Sequence, residues 1–171
     1  MGLHRFYHAD RGQTLIEGQT VEVDSRGLSR FGSVYWDAIQ TKPFDNLNDA
    51  ERREFFLEQT RSLPIFREAR PSRLQSMFGA NSIDEVKRFV DTIVPRPEKT
   101  PIFEVFASSF TTLDMNWLDY VSDANTYIQN RRHYWYGEIS NHNPETGERK
   151  LPMLEVLMQL PVKVGKIVAW V

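Results

Sequence analysis

The chain has 171 residues, of which 40% are hydrophobic and 26% are charged, and its formal net charge is -2. This balance is typical of one folded domain and excludes collagen-like, coiled-coil and low-complexity proteins. The small net charge gives no whole-molecule attraction to nucleic acid or to an anionic membrane. The absence of cysteine excludes disulfides, thiol nucleophiles and Cys-ligated metals. Because no apolar run fits a signal sequence or a spanning helix, we expect a cytoplasmic protein with no membrane partner.

Two strands and a loop are predicted at the start of the chain. Residues 3–10 mix aromatic and polar side chains over the length of a strand, and the turn residues 11–13 end it. Alternating Val and Glu predict a second extended segment within residues 19–23. The Gly-flanked stretch 30–43 is predicted as a loop, in which Trp36 serves as a substrate lid or as part of a satellite core.

Two helices are predicted from their capping residues. Segment 48–62 begins with an Asn and carries a Glu three residues later, which is the pattern of a capping box. Segment 82–93 begins with Ser, carries the same Glu, and has apolar residues at helical spacing until Pro95. Residues 73–80 fit a strand that leads directly into this second helix.

The second half of the chain also combines strands with helical segments. Stretches rich in aromatic and branched residues favour strands, and residues 151–160 fit either a helical turn or a strand. Because strands and helices do not alternate regularly, the predicted fold class is α+β, in a single domain over residues 1–171. The other elements predicted are strands over 102–110, 133–139 and 163–171, a helix over 116–130 and a loop over 141–147.

General catalytic motifs are missing from the sequence. It contains no P-loop, no dinucleotide-binding glycine pattern and no Gly-x-Ser-x-Gly elbow. The four histidines lack the paired helical spacing of zinc hydrolases, so no metal site is predicted.

Polar side chains stand out in three of the predicted strand segments, residues 6–11, 71–78 and 134–138. In these segments and in the strand over 102–110, the sequence resembles the ADP-ribosyltransferase superfold, and more narrowly an uncharacterised bacterial family assigned to it. The resemblance covers most of the chain. It implies split, mixed β-sheets flanked by helices, with NAD as the co-substrate.

The resemblance also implies roles for individual residues. It assigns binding of the NAD ribose or adenosine to His8, or alternatively to Arg11. It assigns the nicotinamide wall to the stretch from Ser72 to Phe78, where Ser76 is the sharper candidate because a hydroxyl inside a strand needs a partner. It assigns the ribose 2′-hydroxyl to Glu138.

These residue types suit the chemistry of NAD cleavage. Breaking the bond between nicotinamide and ribose produces an oxocarbenium-like sugar, which the carboxylate of Glu138 would stabilise. Arg11 and Arg73 offer a guanidinium for the pyrophosphate. The rings of Phe78, Tyr134 or Tyr136 could stack on nicotinamide.

The function predicted from the resemblance is transfer of ADP-ribose to a protein or nucleic-acid acceptor, by a toxin or phage-related effector with an antitoxin as a candidate partner. Tyr136 stands where members that modify arginine or asparagine carry Gln or Glu. Two alternatives stay open: a catalytically silent binding module, and an RNA 2′-phosphotransferase on the same fold. Basic residues that could track a phosphate backbone lie at Arg61, Arg67, Arg70, Arg73 and 131–133.

Overall fold

The computed structural model describes residues 2–119, 123–140 and 151–171. Seven strands in these ranges form two sheets, and every strand pair is antiparallel, so the prediction of mixed sheets is wrong. The strands are β1 His4–Ala9, β2 Thr20–Val21, β3 Ser76–Gly79, β4 Pro101–Ala107, β5 Phe110–Asp114, β6 Leu154–Gln159 and β7 Val162–Trp170. The larger sheet has the order β1-β4-β7-β2, and the smaller one has the order β3-β6-β5.

Five α-helices accompany the sheets in the described part of the chain, which confirms the α+β class. None of them has the length and apolar composition that crossing a membrane requires. Short 3-10 turns cover Phe44–Asn46, Arg73–Gln75 and Met115–Leu118. The helices are α1 Arg30–Thr41, α2 Asp49–Arg61, α3 Pro64–Arg67, α4 Ile83–Asp91 and α5 Ala124–Tyr136.

Three apolar clusters arrange these elements in layers. The first lies between the sheets and joins Phe6 of β1, Val105 of β4 and Met158 of β6. The second covers the other face of the smaller sheet with α2 and α5. The third packs α4 on the outer face of the larger sheet. The smaller sheet is therefore covered on both faces, by the larger sheet and by helices.

The two sheets are also joined by hydrogen bonds at one corner. The backbone N–H of Tyr7 donates to the carbonyl of Ala80 over 3.0 Å, and the N–H of Ala80 donates to the carbonyl of Tyr7 over 2.9 Å. This bridge places the end of β1 beside the end of β3. Two of the segments that carried the sequence resemblance are therefore neighbours.

The capped helices and the terminal strands confirm the corresponding sequence predictions. Asn48 caps α2 and exchanges hydrogen bonds with Glu51 in a complete capping box. Ser82 caps α4 by accepting from the N–H of Glu85. Strands β1 and β7 lie where they were predicted, and the second predicted strand is shortened to the two residues of β2.

The segment predicted as a loop over residues 30–43 is instead the helix α1. Ser29 caps it by accepting from the N–H of Gly32 over 3.0 Å. The helical spacing of its buried apolar residues is hard to recognise in the sequence, because the apolar Val34 lies on the solvent side and is 66% exposed. The Gly within the helix has a packing role, since it lies directly against the backbone of Leu74.

The predicted strand over residues 133–139 is also wrong, because residues up to Tyr136 belong to α5. Asp123 caps this helix at its start, and Gly137 ends it with φ 77°. The aromatic density that suggested a strand reflects burial of Tyr134 and Trp135 on one side of the helix. The carboxylate predicted on a late strand, Glu138, therefore follows a helix C-cap instead.

Smaller differences concern element bounds. Residues 73–75 form a 3-10 turn before β3, and the strand predicted over 102–110 ends at Ala107 before β5 begins. Residues 151–160, for which the sequence fitted either a helical turn or a strand, contain β6. The helix predicted over 116–130 divides into a 3-10 turn and the first half of α5. The loop predicted over 141–147 lies outside the described residues.

We predict that Gly32→Ala strongly destabilises the protein. A Cβ at this position would lie 1.7 Å from the carbonyl oxygen of Leu74, so α1 would have to move away from the 3-10 turn before β3. The expected loss is about 3 kcal/mol or more in the free energy of unfolding, measured by urea titration. Gly12→Ala is the matched control, because its nearest neighbour would lie at an ordinary 3.4 Å. Equal stability of the two variants would contradict the described packing of α1.

Candidate functional site

Arg73 occupies the centre of the face on which the smaller sheet meets the helices. Its side chain is 4% exposed and its Nε donates to Glu54 of α2 over 2.8 Å. One Nη donates to Glu155 of β6 and, over 2.5 Å, to the hydroxyl of Tyr134 in α5. The guanidinium is thus bonded to α2, α5 and β6 at once.

Aromatic rings complete the surroundings of Arg73. The guanidinium carbon lies 4.8 Å from the ring centroid of Phe78 and 5.9 Å from that of Phe31. Burial alone would lower the pKa of Arg73, but the charges of Glu155 and Glu54 outweigh this effect and hold the pKa well above its ordinary value. Its donors are directed at the two carboxylates and at Tyr134, so this arrangement leaves little of the guanidinium for a ligand's pyrophosphate.

The two serines predicted from the resemblance lie on either side of this cluster. Ser76 is fully buried, and its hydroxyl donates to the carbonyl of Ser72 over 2.7 Å. The hydroxyl of Ser72 donates to the Oε2 of Glu58 over 2.8 Å. The hydroxyl of Ser76 therefore has a backbone hydrogen-bond partner, whereas the hydroxyl of Ser72 is bonded to a carboxylate at the wall of a cavity.

Two neighbouring cavities meet at Ser72, and we call them together the Ser72 groove. The first cavity, of about 340 Å³, lies between α1, α2 and the 3-10 turn before β3. Trp36, 37% exposed, supplies an aromatic ring to its lining. The second cavity, of about 470 Å³, extends toward β5 and the turn after α3. The residues common to both linings are Arg61, Ser72 and Gln75.

A carboxylate, a hydroxyl and a guanidinium converge where the cavities meet. Glu58 Oε1 accepts from Arg61 Nη2 over 2.6 Å, and its other oxygen accepts from Ser72. Arg61 is held in turn by the carbonyl oxygens of Arg67 and Arg70. The side chain of Glu58 is 23% exposed, so the carboxylate is oriented by two donors and still reaches the cavity.

His8 is joined to Phe78 but not to the groove. Its Nδ1 lies 2.6 Å from the carbonyl oxygen of Phe78, and since a carbonyl only accepts, Nδ1 carries the proton. Burial lowers the pKa of His8, and the hydrogen bond to Phe78 only partly opposes this effect. His8 therefore acts as a neutral link between β1 and β3.

The remaining two predicted residues lie elsewhere. Arg11 is exposed at the turn after β1. Glu138 is exposed and bonded to Nδ1 of His133, whose ring stacks on Trp117 at 4.6 Å. Trp117 follows β5, whereas His8 is tied to β3, at the opposite edge of the smaller sheet. Of the predicted residues, the structure brings together Ser72, Arg73, Ser76, Phe78 and His8, and it leaves Glu138 apart from them. Arg11 lies near enough to His8 for its charge to act on the ring, but it does not reach the groove.

Comparisons with known proteins do not place the chain in a family. No protein-family model matches it, and no curated protein matches its sequence. Within the described residues, no cluster of three or more His, Asp or Glu side chains is arranged to hold a metal ion.

Sequence reasoning missed Glu58 as a candidate site residue and considered Arg61 only within a basic run. A signal was available in α2, where Glu54 and Glu58 are four residues apart and therefore share a helix face with the buried Leu57. Carboxylates beside a core position predict cationic partners. Which cations they meet depends on packing between distant segments.

We predict that Arg73→Met lowers the free energy of unfolding by about 3–5 kcal/mol, because the buried Glu155 would lose its cation and Glu54 would keep only Arg53, whose Nε lies 3.5 Å away. Arg11→Met, at the other arginine implied by the resemblance, should change it by no more than about 0.5 kcal/mol. Urea unfolding followed by circular dichroism measures both. A small effect at Arg73 would contradict its place at the centre of the cluster.

We also predict that His8 makes stability depend on pH. Since its pKa is lowered in the folded state, the neutral form is favoured there, and the contribution to stability is present above the unfolded value of 6.5 and lost as the pH falls. The unfolding free energy of the unaltered protein should fall more steeply than that of His8→Gln between about pH 7 and pH 5. Parallel profiles for the two proteins would contradict the lowered pKa of His8 in the folded protein.

Proposed function

We propose that the protein is an NAD-dependent ADP-ribosyltransferase whose reaction takes place in the Ser72 groove, on a variant of the ADP-ribosyltransferase fold. The observation that carries the proposal is the convergence of Glu58, Ser72 and Arg61 at the junction of two cavities. The neighbourhood of β1 and β3, which the resemblance pairs in one site, supports it.

The first cavity suits the nicotinamide riboside part of NAD. Its lining combines the Trp36 ring with the apolar side chains of Leu28 and Leu74, which can cover a flat aromatic ring. Arg26, at the same cavity, offers a guanidinium on which a phosphate could compete with Asp24 and Asp37. In this pose the ribose lies next to Glu58.

Glu58 would stabilise the sugar as the bond to nicotinamide breaks. The electron pair of the bond between the ribose C1′ and nicotinamide leaves with the nicotinamide nitrogen, and positive charge develops on the ribose. A carboxylate held in place by Ser72 and Arg61 opposes that charge without reorganising. An oxygen or nitrogen of the acceptor then forms the new bond to C1′ and releases its proton to water.

This assignment moves the reacting carboxylate from Glu138 to Glu58. Glu138 is exposed beyond α5, and its carboxylate is bonded to His133. Glu155 and Glu54 are engaged by Arg73 in the interior. Glu58 combines a fixed orientation with access to the groove.

A second candidate function is a nucleotide-binding module without catalysis. The observation that favours it is the structural use of several residues implied by the resemblance: Arg73 is enclosed by carboxylates, and His8 is bonded to Phe78. A module of this kind would bind NAD in the same groove and leave it intact.

Nicotinamide release from labelled NAD tests the proposal. Glu58→Gln keeps the shape and the acceptor for Ser72 but loses the charge, so release should fall by about 100-fold or more. Glu138→Gln distinguishes the two carboxylates, and we expect it to retain activity. Glu17→Gln, at an exposed loop position, is the matched control for the loss of one negative charge.

The outcomes separate the candidates. Loss of release in Glu138→Gln rather than in Glu58→Gln would contradict the groove assignment in favour of the sequence-based one. Binding of NAD without release by any protein would favour the silent module. If the unaltered protein neither binds NAD nor releases nicotinamide, both candidate functions are contradicted.

A further inference from the structure

We propose that Gln75 is the specificity-determining residue of the first cavity, and that its side-chain amide selects the carboxamide of nicotinamide over the carboxylate of nicotinic acid. This inference rests on the proposed function, because it takes the first cavity as the nicotinamide site. Gln75 lines both cavities of the Ser72 groove. Its side chain is exposed and makes no hydrogen bond with any described residue.

The charged side chains that line the first cavity already have partners. Arg26 donates to Asp24 over 3.1 Å and to Asp37 over 2.6 Å. Arg61 is paired with Glu58. Each of these guanidiniums is therefore matched by at least one carboxylate, so a ligand that brings a further negative charge finds no unpaired cation among them.

The neutral polar groups of this cavity differ in what they can still offer. The hydroxyl of Ser72 is fully used, since it donates to Glu58 over 2.8 Å and accepts from the N–H of Leu74 over 3.2 Å. The indole of Trp36 has an N–H but no acceptor. Of the described polar side chains at the first cavity, Gln75 alone keeps both a donor and an acceptor for a ligand.

The amide of Gln75 is carried on a fixed segment of backbone. Gln75 ends the 3-10 turn that begins at the buried Arg73, and its backbone N–H donates to the carbonyl of Ser72 over 3.1 Å. The amide nitrogen lies against the turn at Gly27, where a Cβ would be 3.5 Å from it. That turn also carries Arg26 into the cavity lining. The amide is therefore at the wall of the first cavity.

A primary amide is the natural partner of another primary amide. Each has a carbonyl acceptor and N–H donors in one plane, so the two can exchange a pair of hydrogen bonds. A carboxylate only accepts, so it would leave the Gln75 carbonyl without a donor and would add a negative charge to a cavity that already contains Glu58. A site built to hydrogen-bond a polar group discriminates against an analogue that lacks it, because its own group is then unpaired.

The test compares NAD with its analogue in which the carboxamide is a carboxylate, by equilibrium dialysis and by initial rates of pyridine release. The unaltered protein should bind NAD about tenfold or more tightly than the analogue. Gln75→Met keeps the length of the side chain and removes its hydrogen bonds, so NAD binding should weaken by about tenfold while binding of the analogue changes little. In the rate assay this loss should appear in KM, with kcat nearly unchanged, in contrast to Glu58→Gln.

Two further variants make the test specific. Gln129→Met makes the same substitution at an exposed position of α5 and should behave like the unaltered protein. Gln75→Arg supplies a guanidinium that can pair with a carboxylate, so it should reverse the preference toward the analogue. A gain of affinity of this kind cannot result from a loss of folding.

Equal affinity of the unaltered protein for NAD and the analogue would overturn the inference, as would an equal loss for both ligands in Gln75→Met. Either result leaves the proposed function in place as long as NAD is bound and nicotinamide is released. Preference for NAD without release would overturn only the transferase. Absence of NAD binding by the unaltered protein would contradict the proposed function, and the inference with it.

Discussion

The buried ion cluster around Arg73 is the interaction on which the rest of the helix-covered face depends. A charged group in the interior is costly unless it is paired and hydrogen-bonded. Here Glu54 from α2, Glu155 from β6 and Tyr134 from α5 meet these requirements together. Burial raises the pKa of Tyr134 well above its ordinary value, so the phenol stays protonated and donates to Glu155. Because the Arg73 guanidinium is bonded to α2, α5 and β6, it fixes these three elements relative to the start of β3.

The geometry of the groove follows from that cluster. Ser72 immediately precedes Arg73, and Glu58 lies one helical turn after Glu54 in α2. The ion pairs that hold the turn against α2 therefore bring the Ser72 hydroxyl within 2.8 Å of the Glu58 carboxylate. The buried ion pairs of Arg73 thus hold in place the elements that carry Glu58 and Ser72 at the groove. This division explains why residues adjacent in sequence have different roles: Arg73 is enclosed, and Ser72 faces the cavity.

Elements that are marked by a few neighbouring residues could be predicted from the sequence. Elements whose type depends on packing against distant segments could not. Caps at Asn48 and Ser82 depend on a few neighbouring residues, so α2 and α4 were predicted correctly. The aromatic segment ending in Tyr136 was predicted as a strand because burial of adjacent rings is compatible with either element, and the C-cap at Gly137 was overlooked. Similarly, α1 was missed because exposed apolar residues blur its periodicity. The contacts of Arg73 with Glu54 and Glu155 link residues 19 and 82 positions apart, which no local pattern indicates.

The indole signals of the tryptophans test most directly the proposal that NAD binds in the Ser72 groove. Trp36 lines the first cavity, whereas the Trp117 indole N–H donates to the carbonyl oxygen of Glu138 over 2.8 Å and thus reports on the alternative carboxylate. In a ¹H–¹⁵N titration with NAD, we expect a saturable shift of the Trp36 indole signal and little change at Trp170, which lies in β7 of the larger sheet. A shift confined to Trp117, or no shift of Trp36 at saturating NAD, would contradict it.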